Sequence, residues 1–389
     1  DDGRMKMKKG KIGVVVMTMM ILGMLNWYTF TYDEGLSDGV LEVQARVLSV
    51  DNSDVMTNGV SSIGFQSVEL QLLNKGYKGM VMSATNQLNG QVDYDEIYVA
   101  GDRIIVALQL KQGQIIKVRT VDFYRQTWLA WLFLFFVVVL LIYAKIIGLK
   151  ALLSFVLSLF VLWEVLVKGL LAGQEPLLLT GMTVVLLSAG IIFLVTGISR
   201  RGMAAFLGTL VGLMVTLLFT ILFGLKMRLL GLTQPYVQTL FISGYHNLNF
   251  REIFYSAIIL GASGAAMDIA VDISASIHEI KVQNPDIATK VLIQSGFNVG
   301  RQVIGTMATT LLLAYSGSYL TLLMMFVAKD TSLVRMLNLK LVSGEIMRTV
   351  IGSIGLVLVA PSTALFAGVL ENVTLTKIIE KGEELVEME

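Results

Sequence analysis

The stretch GASGAAMDIAVDISASIHEI, residues 261 to 280, sets three carboxylates into a run that otherwise suits a membrane helix. At about 100° per residue, Asp268, Asp272 and Glu279 fall within roughly 40° of one another, with Ser276 at the edge of the stripe. Ile269, Ile273, Ile277 and Ile280 fill the opposite side. At a rise of about 1.5 Å per residue the acids line roughly 16 Å of helix. Such a row suits a polar path, a cation or proton site, or a set of partners for basic side chains. The competing reading ends the membrane near Ala266 and lays the rest along the cytoplasmic interface, isoleucines down and acids in water. Lipid exposure is the least favourable case, because an Asp at a helix centre costs about 2.5 to 3.5 kcal/mol.

A second polar group lies in SGFNVGRQVIGTMATTLLLAY, residues 295 to 315, which brings Asn298, Arg301, Gln302, Thr306, Thr309 and Thr310 to the start of another apolar run. At helical spacing Gln302, Thr306, Thr309 and Thr310 share a face, and polar groups in membrane helices are satisfied against other helices. The acidic face is the obvious partner. Arg301 would balance Asp268 and Asp272 in a path; a purely architectural pairing of the acids with Arg301 or Arg348 is the alternative. Gly261 and Gly264, and Gly296 and Gly300, are read as helix-packing positions where backbones touch. If a metal binds, Asp268 and Asp272 are its ligands, and an oxygen-only set favours a hard cation or a proton. No cofactor beyond such a cation is expected.

Composition narrows the classes further. Of 389 residues 55% are hydrophobic and 15% charged, with mean hydropathy +0.72, which marks a membrane protein. A net charge of only +1 gives no footprint for nucleic acid. With no Cys and two His, thiolate chemistry is excluded and a histidine-built metal site is disfavoured. HEIKV at 278 to 282 lacks the second His of a zincin, and neither G-x-S-x-G nor G-x-x-x-x-G-K-[ST] occurs, so the expectation is not an enzyme.

The elements that must position these groups are apolar windows of roughly 20 residues. They run from Ile12 to Phe30, Trp128 to Ala144, about Leu149 to Ala172, Leu177 to Ser199, Met203 to Leu225, Ile253 to about Ala270, Val303 to Ala328, and Ile346 to Leu370, with Pro361 expected to kink the last. A re-entrant piece within 226 to 250 would alter the count. Between the first two windows, residues 31 to 127 alternate in period two, with strands expected at 40 to 50, 65 to 73, 78 to 86, 103 to 110 and 115 to 123. Glu164 and Lys168, at i and i+4, are read as a helix-end pair.

The expected fold is therefore a polytopic α-helical membrane protein of about eight transmembrane helices. It carries an inserted small all-β domain, an OB-like barrel. The domains run as a first transmembrane helix at 12–30, the barrel at 31–127, seven membrane helices at 128–370 and a tail at 371–389. Lys6, Lys8, Lys9 and Lys11 put the N-terminus in the cytoplasm and the barrel outside, and an even count returns the tail inside.

The two segments quoted above resemble the signature segments of the YibE/F-like family of multi-span bacterial membrane proteins. The barrel-then-membrane layout is similar to its longer, YibE-type member, and the resemblance covers residues 12 to 370. In that family an Asp commonly follows the Gly-Arg pair; here the position is Gln302. The resemblance implies a bacterial plasma-membrane permease and partnership with a shorter YibF-like chain that lacks the barrel. Dense small residues favour self-association, so a homo-oligomer is the other expected partnership. From the residues, the first functional expectation is a permease with a polar path between the sixth, seventh and eighth spans. The second is a membrane scaffold or sensor whose outer barrel binds a partner or envelope ligand.

Overall fold

The computed structural model describes residues 40–372 apart from 75, 93, 112 and 113. The expected first span, 12–30, and the tail beyond 372 lie outside the described residues. The chain divides into two compact units, Asp1–Tyr143 and Ala144–Glu389.

The first unit holds β1 (Val40–Asn58), β2 (Ser61–Leu72), β3 (Val81–Asn89), β4 (Arg103–Lys111) and β5 (Gln114–Phe123). They close into a barrel in the order β1-β2-β3-β5-β4. β1 pairs antiparallel with β2 and β4, and the β3–β5 contact is parallel. All five expected strands are present. Alternate residues fill the interior: Val43, Ala45 and Val47 on β1, Val68, Leu70 and Leu72 on β2, Ile104, Val106 and Leu108 on β4. β1 and β2 run further than their apolar alternation suggests, because they pair as a hairpin through the mostly exposed residues 51–64. Gly64 permits this: its φ is +122°, and a Cβ there would sit 2.0 Å from the Asp54 carbonyl oxygen.

Three buried amides and hydroxyls hold the irregular segment between β3 and β4. Gln66 Nε2 donates to the Tyr98 carbonyl at 2.8 Å, while its Oε1 accepts from Tyr98 N and Asn86 Nδ2, both at 3.1 Å. Asn86 Nδ2 also donates to the Glu96 carbonyl at 2.6 Å, and Thr120 Oγ1 donates to Asn86 Oδ1 at 3.2 Å. Burial, aided by the charges of Asp122 and Glu96, pushes the adjoining Tyr98 phenol up to about 12. Gln66→Leu strands several of these groups at once and is expected to cost about 2 kcal/mol. Hydrogen exchange across residues 95–99 should then quicken by about thirtyfold. Unchanged exchange would show that the segment is held by packing alone.

The second unit is helical, and α1 leads into it. α1 (Gln126–Leu171) covers the second and third expected spans in one run, interrupted at Lys145, where φ is 48°. Its 46 residues would make about 69 Å of regular helix, about twice the hydrocarbon thickness, so length alone allows two crossings. Residues Val161–Val167 wind as π-helix, and there Lys168 Nζ meets Glu164 at 2.8 Å, the expected i,i+4 pair.

Then follow α2 (Pro176–Thr196), α3 (Arg200–Lys226), the short α4 (Val237–Ile242), α5 (Phe250–Gln283), α6 (Thr289–Ser318), α7 (Leu320–Ala328), α8 (Leu333–Asn338) and α9 (Lys340–Asn372). Among the described residues five helices are long and apolar enough to cross a membrane: α1, α2, α3, α5 and α9. The pair α6 and α7, bent by 68°, makes a sixth if taken together. The chain is thus a helical membrane protein with an N-terminal five-stranded barrel. α9 continues through Pro361. The helices outrun the apolar windows: α5 runs to Gln283, past the window's end near Ala270, α6 begins at Thr289, ahead of the window's start at Val303, and the bend after Ser318 interrupts the seventh window.

α3 and α9 pack closely, through Gly208 and Gly212 on one and Gly355 on the other, with Thr209, Thr216 and Thr220 fully buried. Those three hydroxyls donate to their own helix carbonyls four residues back, at 2.7 to 2.9 Å. Polarity inside the helix is therefore satisfied without a partner helix.

Candidate functional site

α5 is two-faced, as its spacing requires. Ile269, Ile273 and Ile277 are fully buried. A Cβ on Gly300 of α6 would lie 3.3 Å from Ile273 Cδ1 and 3.1 Å from Ala360 Cβ of α9. One on Gly296 would lie 2.6 Å from Ile277 Cδ1 and 2.8 Å from Ala364 Cβ. The space where α5, α6 and α9 meet is therefore filled by isoleucine, alanine and glycine. The polar residues of α5 and α6 do not converge there.

Asp268, Asp272 and Glu279 are instead exposed on the outer face of α5. On α6, Asn298, Arg301, Gln302, Thr306, Thr309 and Thr310 are exposed as well. Among the described residues no ion pair reaches Asp268, Asp272, Glu279 or Arg301; Arg301 Nη1 has only Asn298 Oδ1, at 3.4 Å, and Glu279 accepts from Gln283 Nε2 at 3.1 Å. Among the described residues, the alternative pairing of the aspartates with Arg301 or Arg348 does not form. Ser276 Oγ donates to the Asp272 carbonyl at 2.8 Å, Thr306 to Val303 at 3.1 Å and Thr309 to Thr306 at 2.9 Å. Their hydroxyl protons are spent on their own backbones, so the oxygens that remain act as acceptors.

Height along the bundle follows from the same contacts. Ile273 lies beside Gly300 and Ala360, and the neighbouring Val359 packs on Gly212, the thirteenth residue of the 27-residue α3 counted from Arg200. Asp272 and Arg301 adjoin that Ile273–Gly300 contact. They share one level, close to the middle of α3. Asp268 stands one turn along α5.

Of the four packing glycines, Gly296 and Gly300 are buried in helix contacts as expected. Gly261 is exposed, and a Cβ on it would meet only Tyr315, with the hydroxyl at 2.5 Å; Gly264 has no neighbouring atom within 4 Å. The last two lie on the open face with the acids. Among the described residues no group of three or more His, Cys, Asp or Glu side chains could hold a metal ion.

Polar clusters fasten the three helices at both ends, and sequence spacing alone did not reveal them. At one end His278 Nδ1 lies 2.9 Å from Glu371 Oε1, and Lys281 Nζ donates to the Pro285 carbonyl and to Asn372 Oδ1. Asn372 Nδ2 reaches Thr289 Oγ1 at 2.9 Å, joining α5, α6 and α9. At the other end Arg348 meets Glu345 at 3.4 Å and Gln234 at 2.8 Å, and Tyr319 donates to Glu345 at 3.1 Å. The i,i+3 spacing of Glu345 and Arg348 was the available signal.

The layout of this unit, and of the barrel before it, matches known families. A family model described as YibE/F-like protein covers residues 132–372, and one described as the YibE/F family N-terminal domain covers residues 41–123. The chain belongs to the YibE/F-like family. No curated protein and no solved structure matches it. Within the matched region, Gly300 packs inward while Arg301 and Gln302 are exposed.

Proposed function

We propose that this YibE/F-like chain is a permease whose polar α5–α6 face conducts a proton or a hard cation. The observation that carries the reading is the pair Asp268 and Asp272, exposed, free of ion pairs among the described residues, and close to the middle of the neighbouring helix α3. Carboxylates at such a height are tolerated only against water or protein. In this reading Asp268 and Asp272 bind the cation and Arg301 limits how much positive charge the site holds. Asn298, Gln302 and Thr306 supply further oxygen, with Thr309, Ser276 and Glu279 extending the lining towards its ends. In this reading the path runs along the exposed side of α5 and takes in exposed residues of α6, since isoleucine and alanine fill the junction with α9. The proposed orientation puts both termini in the cytoplasm and the barrel outside the plasma membrane.

The test is flux into liposomes carrying the full chain, across protons and monovalent and divalent cations. Asp268→Asn and Asp272→Asn, in protein that still inserts, are expected to bring flux down to that of protein-free vesicles. Undiminished flux in both variants, or none in the wild type across the panel, would remove the permease reading.

A second reading is favoured by the barrel. Its strand order, with β3 and β5 parallel, supports the OB-like type, in which the face of strands two and three and the loop before them take ligands. There Met56, Val60, Ile63 and Phe65 are exposed by 80, 88, 58 and 54%. A scaffold or sensor would use that hairpin to bind a partner chain, such as a YibF-like one, or an envelope ligand. Loss of function on Phe65→Ser with flux intact would favour it.

A further inference from the structure

We propose that the groove between α3, α6 and α9 binds one acyl chain of an anionic phospholipid, whose headgroup phosphate is held by Lys226 just beyond the groove's end. The inference rests on α3 and α9 crossing the membrane and does not depend on what the chain conducts. The groove measures about 500 Å³, and Phe219, Leu312, Val350, Ile354, Val357 and Leu358 line most of it, with no charged side chain among the lining residues. Leu312, Val350 and Val357 are exposed by 53, 50 and 43%, so it opens at the outer surface of the bundle. Its height matches one leaflet. Val359, next to Leu358, packs on Gly212 at the middle of α3, and Thr349 at the other end of the groove stands nine residues back along α9, about 14 Å away. Half of a hydrocarbon core is about 15 Å.

Charge agrees with height. Gly208 against Thr363, Gly212 against Val359 and Thr216 against Gly355 make α3 and α9 antiparallel, so the Thr349 end of the groove points towards the Lys226 end of α3. From the Thr216–Gly355 contact, Thr349 stands level with about residue 222, and Lys226 lies about one turn further out. Phe219, Phe223 and Lys226 fall within about 60° on α3, with the two rings stacked at 6.0 Å, so the lysine continues the wall of the groove. It is exposed, and among the described residues it forms no ion pair. The one acid between 340 and 350 on α9, Glu345, is turned to Arg348. Any lipid tail can fill an apolar groove, so packing alone selects none; a lysine that reaches headgroup depth selects the anionic lipid.

The test uses the full chain in detergent, freed of lipid, and phosphatidylglycerol whose acyl chain carries a photoactivatable diazirine. Peptide mass spectrometry is expected to find the label on residues 349–358 of α9 and 308–312 of α6. Unlabelled phosphatidylglycerol should compete about fivefold better than phosphatidylcholine. Lys226→Gln should bring the two competitors level. Val350→Trp, which fills the groove, should remove the label there, whereas Leu186→Trp, at an exposed position on α2, should change nothing. All three variants replace exposed side chains, and a monodisperse peak on size exclusion establishes that each is folded. Equal competition in the wild type, or a preference that survives Lys226→Gln, would overturn the inference. So would label that avoids the groove, which would mean that residues 12–30, a second copy or another protein covers it.

Discussion

Gly355→Val is expected to leave almost no folded protein, because the α3–α9 crossing has no room for a side chain. A Cβ at Gly355 would stand 1.9 Å from Thr216 Oγ1 and 3.3 Å from the Gly212 carbonyl oxygen. The opposing glycines are equally confined: a Cβ on Gly212 would lie 2.1 Å from Val359 Cγ2, and one on Gly208 would lie 2.8 Å from the Thr363 backbone. Thr216 cannot swing aside cheaply. Its hydroxyl bonds the Gly212 carbonyl at 2.9 Å, and its side chain is fully buried. Overpacking of this kind costs about 3 kcal/mol or more, and here it separates two helices along a crossing of at least two turns. Gly181→Val, where nothing lies within 4 Å, should be close to neutral. The check is the monodisperse fraction on size exclusion and the thermal midpoint of the detergent-solubilised full chain. A Gly355→Val protein that matches the Gly181→Val control would show that α3 and α9 do not meet this closely.

The sequence made α5 readable as a two-faced helix, since four isoleucines oppose three acids and period alone separates them. Helical spacing carried it to Ile280, although the apolar window stopped near Ala270; the structure ends it at Gln283. The acids lower local hydropathy after Ala270, so an apolar window ends where the helix does not. What continues it is tertiary: His278 on Glu371, Lys281 on Asn372, and Ile277 against α6 and α9. The same limit hid the direction of the acidic face. Periodicity says which residues share a side, and it says nothing of which neighbour covers that side. A pairing of Arg301 with the aspartates was one reading of the two polar runs; in the chain Asp272 and Arg301 adjoin one packing contact, yet each is exposed. The barrel was easier, because period-two alternation reports burial directly. Only the β1–β2 extension escaped, as its residues 51–64 pair through backbone bonds that leave no apolar pattern.

Arg348→Met is expected to be the most damaging single change outside the glycine crossing, at about 3 to 5 kcal/mol. The Arg348 side chain is 15% exposed and that of its partner Glu345 12% exposed. Arg348 reaches Glu345 on its own helix and Gln234 in the segment after α3. It also lies over the rings of Phe254 on α5 and Tyr315 on α6, at 5.6 and 5.8 Å. One side chain thus ties α9, α5, α6 and the α3–α4 connection. Tyr319, at the 68° bend between α6 and α7, bonds the same carboxylate. With methionine at 348 the apolar stem is kept, but Glu345 is left largely buried with a single phenol donor, and the bend loses its anchor. Arg348→Lys should rescue only part, since an ammonium cannot reach the carboxylate and Gln234 as a planar fork does. Removing both charges, by Glu345→Gln with Arg348→Met, should recover more than half of the loss, because no uncompensated charge remains. Thermal midpoints and the rate of proteolysis across 316–332 report it. If the double variant is as unstable as the single one, the energy lies in the stacking of Arg348 on Phe254 and Tyr315, and the ion pair contributes little to holding the bend.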